Sequence, residues 1–230
     1  MRHKKVKNLD QRMTAVRHYL VEDIGGSALT LIEQGKKYKG QWRTYFAGLN
    51  GNEPERLYME LGCGKGKFIN AHAQADPDAG FLGIEGLDSV LIRGLELANE
   101  TNIANLRFIQ AYVADIRHYF GDGELDGIYL NFSDPWPKPR HEKRRFTYGE
   151  TLLKYGQILK PGGFVEFKTD NEELFEFTLA EIERVGLTME EMTRDLHGPE
   201  CTLEARTFTT EYEDKFSGKG KNINYVKIRY

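Results

Sequence analysis

The strongest constraint on how this chain folds is a short run, Glu60-Leu61-Gly62-Cys63-Gly64-Lys65-Gly66. An apolar stretch from Leu57 to Leu61 leads into it as a first strand. A helical pattern through Ala75 leaves it, and Pro77 stops that helix. Glycines in a strand-to-helix turn let a ligand come close to the backbone. The spacing is G-x-G-x-G and not the G-x-G-x-x-G of dinucleotide folds. Glu60 also stands two residues before the first glycine, where it would repel a pyrophosphate. S-adenosylmethionine carries an ammonium, a sulfonium and no phosphate, so these residues favour it over a nicotinamide cofactor.

Beyond the turn, short β-rich runs alternate with helical patterns, as in an α/β sheet. Phe81 to Ile84 is a second strand closing on Glu85, where a carboxylate suits ribose hydroxyls. A helix over Asp88–Glu100 follows, with Asp88 as N-cap and Val90, Leu91, Leu95 and Ala98 on one face. Leu106 to Val113 reads as a third strand and Leu125 to Phe132 as a fourth. Tyr148, Leu152, Tyr155 and Leu159 repeat at helical spacing, and Pro161-Gly162-Gly163 turns the chain into a fifth strand, Phe164 to Lys168. Leu174, Phe175, Thr178, Leu179 and Ile182 mark an amphipathic helix with an acidic outer face. Leu187 to Arg194 and Ile223 to Tyr230 read as closing strands, with His197 to Asn222 between them as loop. Residues 1–50 read as a basic N-terminal arm or cap, with a short helical pattern (Met13, Val16, Leu20) and the aromatics Trp42, Tyr45 and Phe46; residues 51–230 read as the main domain.

A chain of 230 residues can bury one sizeable core. No apolar stretch nears the roughly 18 residues of a membrane span, and Met1-Arg2-His3-Lys4-Lys5 lacks the apolar segment of a secretory signal. Cys63 and Cys201 have no metal-like spacing and the histidines form no H-x-x-x-H pair. The expectation is a cytoplasmic protein without membrane, metal or disulfide, its oligomeric state open between monomer and homodimer. Net charge is only −3, but its sign is uneven. Residues 1–17 hold six Lys/Arg and one Asp, residues 215–230 five Lys/Arg and no acid, and residues 170–191 eight acids and one Arg. Basic clusters set apart from an acidic face suit a polyanionic partner.

The most specific segment runs Asn131-Phe132-Ser133-Asp134-Pro135-Trp136-Pro137-Lys138-Pro139-Arg140-His141-Glu142-Lys143-Arg144-Arg145. A buried strand ends at a carboxylate, prolines stiffen the backbone, and Lys138, Arg140, Lys143, Arg144 and Arg145 follow against a single acid, Glu142. This layout suits an enzyme acting on a nucleic-acid base. Asp134-Pro135-Trp136 is also related to the [DNS]-P-P-[YFW] of amino-group methyltransferases. With Glu60–Phe68, Gly83-Ile84-Glu85, Phe167–Asn171 and Thr210–Phe216, the segment resembles the bacterial tRNA guanine-N7 methyltransferases over residues 55–230.

The resemblance implies a Rossmann-like class I methyltransferase: a seven-stranded, mostly parallel sheet with helices on both faces and an antiparallel C-terminal strand. It implies S-adenosylmethionine as cofactor and tRNA as partner, with the variable-loop guanine as target. It assigns Glu60, Gly62, Gly64 and Glu85 to the cofactor, and Asp134 to both catalysis and cofactor contact. Lys138, Asp170, Thr210, Glu211, Tyr212 and Glu213 would meet the RNA, while Arg140, Lys143, Arg144 and Arg145 would meet phosphates. Where the family commonly has an acid near the adenine, this chain has Tyr112, so either its ring or nearby backbone amides carry that contact. Other readings stand beside these. Asp134 would cap the next turn, Lys138 would be a surface lysine, Thr210 and Glu213 would form a helix capping box, and Trp136 would pack the loop instead of stacking on a base.

Overall fold

The computed structural model describes residues 6–21 and 37–230. The basic residues 1–5 and part of the expected arm, 22–36, lie outside the described residues. The chain forms two compact units, one ending at Gly121 and the other starting at Asp122.

The first unit runs α1 (Leu9–Ala15), α2 (Trp42–Asn50), β1 (Arg56–Leu61), α3 (Lys67–Ala75), β2 (Ala79–Glu85), α4 (Asp88–Glu100) and β3 (Leu106–Gln110). Its strands pair in parallel in the order β3-β2-β1. Residues Ala79 to Ile84 of β2 are all buried, which explains why that stretch shows no polar alternation. The helical pattern expected from Met13 to Leu20 breaks early. Helix α1 ends at Ala15, and Leu20 is extended and bridges to Phe108 beside β3. Arg12 holds α1 onto α4 through a two-pronged pair with Glu96, both contacts 2.7 Å. Trp42 and Phe46 are fully buried, and the Trp42 indole donates to the Tyr119 carbonyl at 2.8 Å.

Two boundaries in this unit differ from expectation. Asp88 lies inside α4, whose cap position is Leu87, and the Leu87 amide donates to the Glu85 carboxylate at 2.9 Å. Strand β3 stops at Gln110 instead of Val113, because β2 ends at Glu85, whose carbonyl accepts a last bond from the Ala111 amide at 3.0 Å.

The second unit runs β4 (Leu125–Asn131), α5 (Gly149–Ile158), β5 (Leu159–Thr169), α6 (Glu172–Arg184), β6 (Thr188–Thr193), α7 (Glu211–Ser217) and β7 (Asn224–Arg229). Its strands pair in the order β4-β5-β7-β6, with β4 and β5 parallel and β7 antiparallel to both neighbours. Seven strands, parallel except at β7, match the expected fold class. Strand β5 begins earlier than expected, at Leu159, and its register against β4 shifts between Leu125 and Gly127 as the Pro161-Gly162-Gly163 turn is absorbed. The Asn171 side chain caps α6 by accepting from the Leu174 amide at 2.7 Å. The stretch expected to be loop, 197–222, contains a further helix, α7.

Candidate active site

In the first unit the three glycines of the turn all adopt left-handed backbone, at φ 76°, 57° and 74° for Gly62, Gly64 and Gly66. Only glycine takes that region without a steric cost. The three serve different ends. A Cβ on Gly66 would lie 2.7 Å from the Gly94 Cα, so this glycine lets α3 and α4 cross closely. A Cβ on Gly64 would meet nothing within 4 Å, leaving the backbone open on the side a ligand would approach. Glu85 closes the turn from the end of β2. Its Oε2 accepts from the Gly64 amide at 3.1 Å and its Oε1 from the Leu87 amide at 2.9 Å. Glu60, 1% exposed, lies at the buried end of β1 directly before the turn.

Open backbone at Gly64 and the carboxylates of Glu60 and Glu85 beside it fit a cationic adenosyl cofactor. Tyr112, expected near the adenine, is 70% exposed, and its ring covers Gly86 closely enough that a Cβ there would lie 2.5 Å from it. That flat, exposed ring lies beside Glu85.

In the second unit β4 ends in a strained loop. Phe132 and Trp136 both have positive φ, 52° and 42°, which bulky residues seldom adopt. The loop is held by Arg145, whose guanidinium donates to the carbonyls of Pro135 (3.0 Å) and Trp136 (3.1 Å) while lying 4.1 Å from the centre of the Phe177 ring. Arg145, expected among the phosphate contacts, is thus committed to the loop itself. Trp136 packs within the loop, the alternative to stacking on a base, with Arg144 over its ring at 4.9 Å and His141 edge-on at 5.7 Å. Asp134 is exposed between the two strained residues, and Lys138, Arg140, Lys143 and Arg144 are exposed after it.

Asp170, one residue past β5, meets Tyr212 of α7, whose hydroxyl lies 3.4 Å from Asp170 Oδ2. Lys221 reaches the same oxygen at 3.1 Å. Burial, and then the charge of Asp170, raise the Tyr212 hydroxyl above its ordinary pKa. The Tyr212 ring also lies 5.0 Å from that of Phe132.

The capping box is present: the Glu213 amide donates to Thr210 Oγ1 at 2.9 Å and the Thr210 amide to Glu213 at 3.3 Å. Glu213 is fully buried, so the RNA contact expected of it is closed to its carboxylate. Instead it pairs with Lys168, 1% exposed, at 3.4 Å and with His197 at 2.7 Å. Lys168 also donates to the carbonyls of Ala205 (2.6 Å) and Phe208 (2.9 Å), pinning the polar segment to β5.

A family model described as putative methyltransferase matches residues 54–226. A tRNA (guanine-N(7)-)-methyltransferase of Halalkalibacterium halodurans is 40% identical over 200 residues, which is 87% of this chain and 87% of that protein. One of Pediococcus pentosaceus is 43% identical over 200 residues, 87% of this chain and 91% of the relative. This chain belongs to the tRNA (guanine-N(7)-)-methyltransferase family.

Two solved structures share the fold of this guanine-N7 methyltransferase at low identity. An antibiotic-related methyltransferase aligns at TM-score 0.57 and 16% identity, covering 81% of this chain and 91% of the other. An S-adenosylmethionine-dependent methyltransferase from Aquifex aeolicus aligns at 0.52 and 12%, covering 94% and 97%. The motifs assign roles to Asp170 and Tyr212 in this family member; Lys168 stands in the same Phe167–Asn171 segment without a role of its own, and His197 and Lys221 lie outside the quoted segments. The basic C-terminal stretch pointed to Lys221 alone, and no local pattern tells a buried lysine such as Lys168 from a surface one.

Proposed function

We propose that this protein transfers the methyl group of S-adenosylmethionine to N7 of a guanine in transfer RNA, at the variable-loop position, forming N7-methylguanosine. The observation that carries the reading is the segment after β4: an exposed Asp134 between two left-handed residues, followed at once by exposed Lys138, Arg140, Lys143 and Arg144. The relatives at about 40% identity support the same chemistry. Residues 1–50 then cap a methyltransferase domain of 51–230, and the protein works in the cytoplasm.

When bound, the cofactor supplies an electrophilic methyl group. Glu60, Gly62, Gly64 and Glu85 would hold it, with Tyr112 against the adenine. Guanine N7 is an unprotonated nucleophile, so no strong general base is required. The protein's task is to orient the base and exclude water. Asp134 and Asp170 would accept hydrogen bonds from the guanine N1–H and its amino group, and would offset the positive charge that arrives on the alkylated ring. The exposed cations Lys138, Arg140, Lys143 and Arg144 would hold phosphates. Thr210, Glu211 and Tyr212 would shape the rest of the RNA site, while Glu213 secures the helix that carries two of them.

The decisive experiment incubates the protein with labelled cofactor and unmodified transfer RNA, then locates the label by chemistry selective for N7-methylguanine. Label on an exocyclic amino nitrogen would favour an amino-group methyltransferase, the reading Asp134-Pro135-Trp136 also allows. Failure to bind the cofactor in calorimetry would leave a non-catalytic RNA-binding subunit.

A further inference from the structure

Lys215, Lys219 and Lys221 place their ammonium groups over one ring, that of Phe216, at 5.3, 5.7 and 5.0 Å from its centre. That ring lies 4.2 Å from the ring of Tyr212, which is 43% exposed. Several other cations of the second unit are already matched by acids: Arg184 by Glu181 and Glu150, Arg194 by Glu172 and Glu176, Arg229 by Glu190, and Lys160 by Asp126. Lys227 shares Glu166, Glu190 and Glu191. Lys215 and Lys219 are exposed and, among the described residues, stand in no ion pair. Lys221 reaches Asp170.

Gathering ammonium groups around one ring concentrates like charge, and cation–π attraction at an exposed site returns only about 0.5–1 kcal/mol per contact. An anion arriving among them relieves the repulsion. Basic groups interleaved with exposed aromatic rings are the arrangement that grips nucleic-acid backbone and bases. We infer that Lys215, Lys219 and Lys221 around Phe216 form a binding site for backbone phosphates of the RNA, adjoining the Asp170–Tyr212 pair. The inference rests on the functional reading above, and adds a second basic site to the one after β4. Lys221 links the two roles, because a phosphate that draws it away would release Asp170 to accept hydrogen bonds from the base.

The test measures binding of an unmodified transfer RNA transcript at several salt concentrations. It compares the wild type with the double variant Lys215→Ala/Lys219→Ala and the charge-keeping double variant Lys215→Arg/Lys219→Arg. Each phosphate contact contributes about 0.7 to the salt slope on single strands and about 0.9 on duplex. The alanine variant should therefore lose roughly 1.4–1.8 of the slope. Its KM for RNA should rise while its affinity for S-adenosylmethionine stays as in the wild type, and the arginine variant should keep the wild-type slope. An unchanged slope in the alanine variant, or equal losses in both variants, would overturn the phosphate site alone. A wild type that binds no transfer RNA would instead overturn the functional reading, and this site with it.

Discussion

At the scale of single residues, similar-looking glycines have different duties, and substitution should separate them. Gly66→Ala meets both a left-handed φ of 74° and the Gly94 Cα at 2.7 Å, a backbone atom that cannot turn aside. We expect a loss of about 2–4 kcal/mol in urea unfolding. Gly64→Ala has the φ penalty alone, about 1–2 kcal/mol. Its larger effect should be weaker cofactor binding in calorimetry, because its new methyl would enter the open side of the turn. If both variants lose stability equally, the close approach of α3 and α4 at Gly66 is not what its glycine serves. Asp134 is the opposite case, exposed and outside the core. Asp134→Ala should leave unfolding within about 0.5 kcal/mol of the wild type while turnover falls at least about a hundredfold; near-normal turnover would remove Asp134 from the chemistry. These positions were legible in the sequence because turn glycines and strand-end acids carry local signatures.

At the scale of elements, α7 shows where local reading fails. The segment is polar and carries glycine, and its helix is held by a buried pair that joins residues 45 apart in sequence. No periodicity encodes such a partner. Only the capping box was visible, as Thr210 and Glu213 at the right spacing. Lys168 reaches from β5 to this helix and to the Ala205 and Phe208 carbonyls, so the exposed residues of α7 owe their position to it. Lys168→Met leaves Glu213 buried without its cation and should cost about 3–5 kcal/mol in urea unfolding. Adding Glu213→Leu should recover a good part of that loss, since an apolar pair of similar volume often replaces a buried ion pair at little cost. A double variant no more stable than the single would mean that the carbonyl contacts, and not the ion pair, dominate.

At the scale of the whole molecule, stability should carry a pH signature from Glu166 in β5. Burial pushes its carboxyl up to about 7 from an ordinary 4.5, opposed by Lys227 and Lys168. The folded state thus keeps a proton that the unfolded chain releases near 4.5. The stability this confers is complete below that value and is lost as pH rises towards 7, in all by roughly 3 kcal/mol. Glu166→Gln cannot ionise, so it should gain on the wild type by about 2–3 kcal/mol between pH 5 and pH 8 in urea unfolding. A constant gap between the two proteins would show that Glu166 ionises at its ordinary value.

The sequence alone determined the alternation of strands and helices, the glycine turn and the acid-proline-basic segment after β4. Each of these is written within a few neighbouring residues, as an apolar period, a turn residue or a charge run. Tertiary structure alone decided which charges are spent and which remain available. Arg145 turns back onto its own loop, Glu213 disappears into a pair with Lys168, and Tyr112 lies over Gly86. A side chain's burial and partner depend on what the rest of the chain brings against it, and that is set by contacts between residues far apart in sequence.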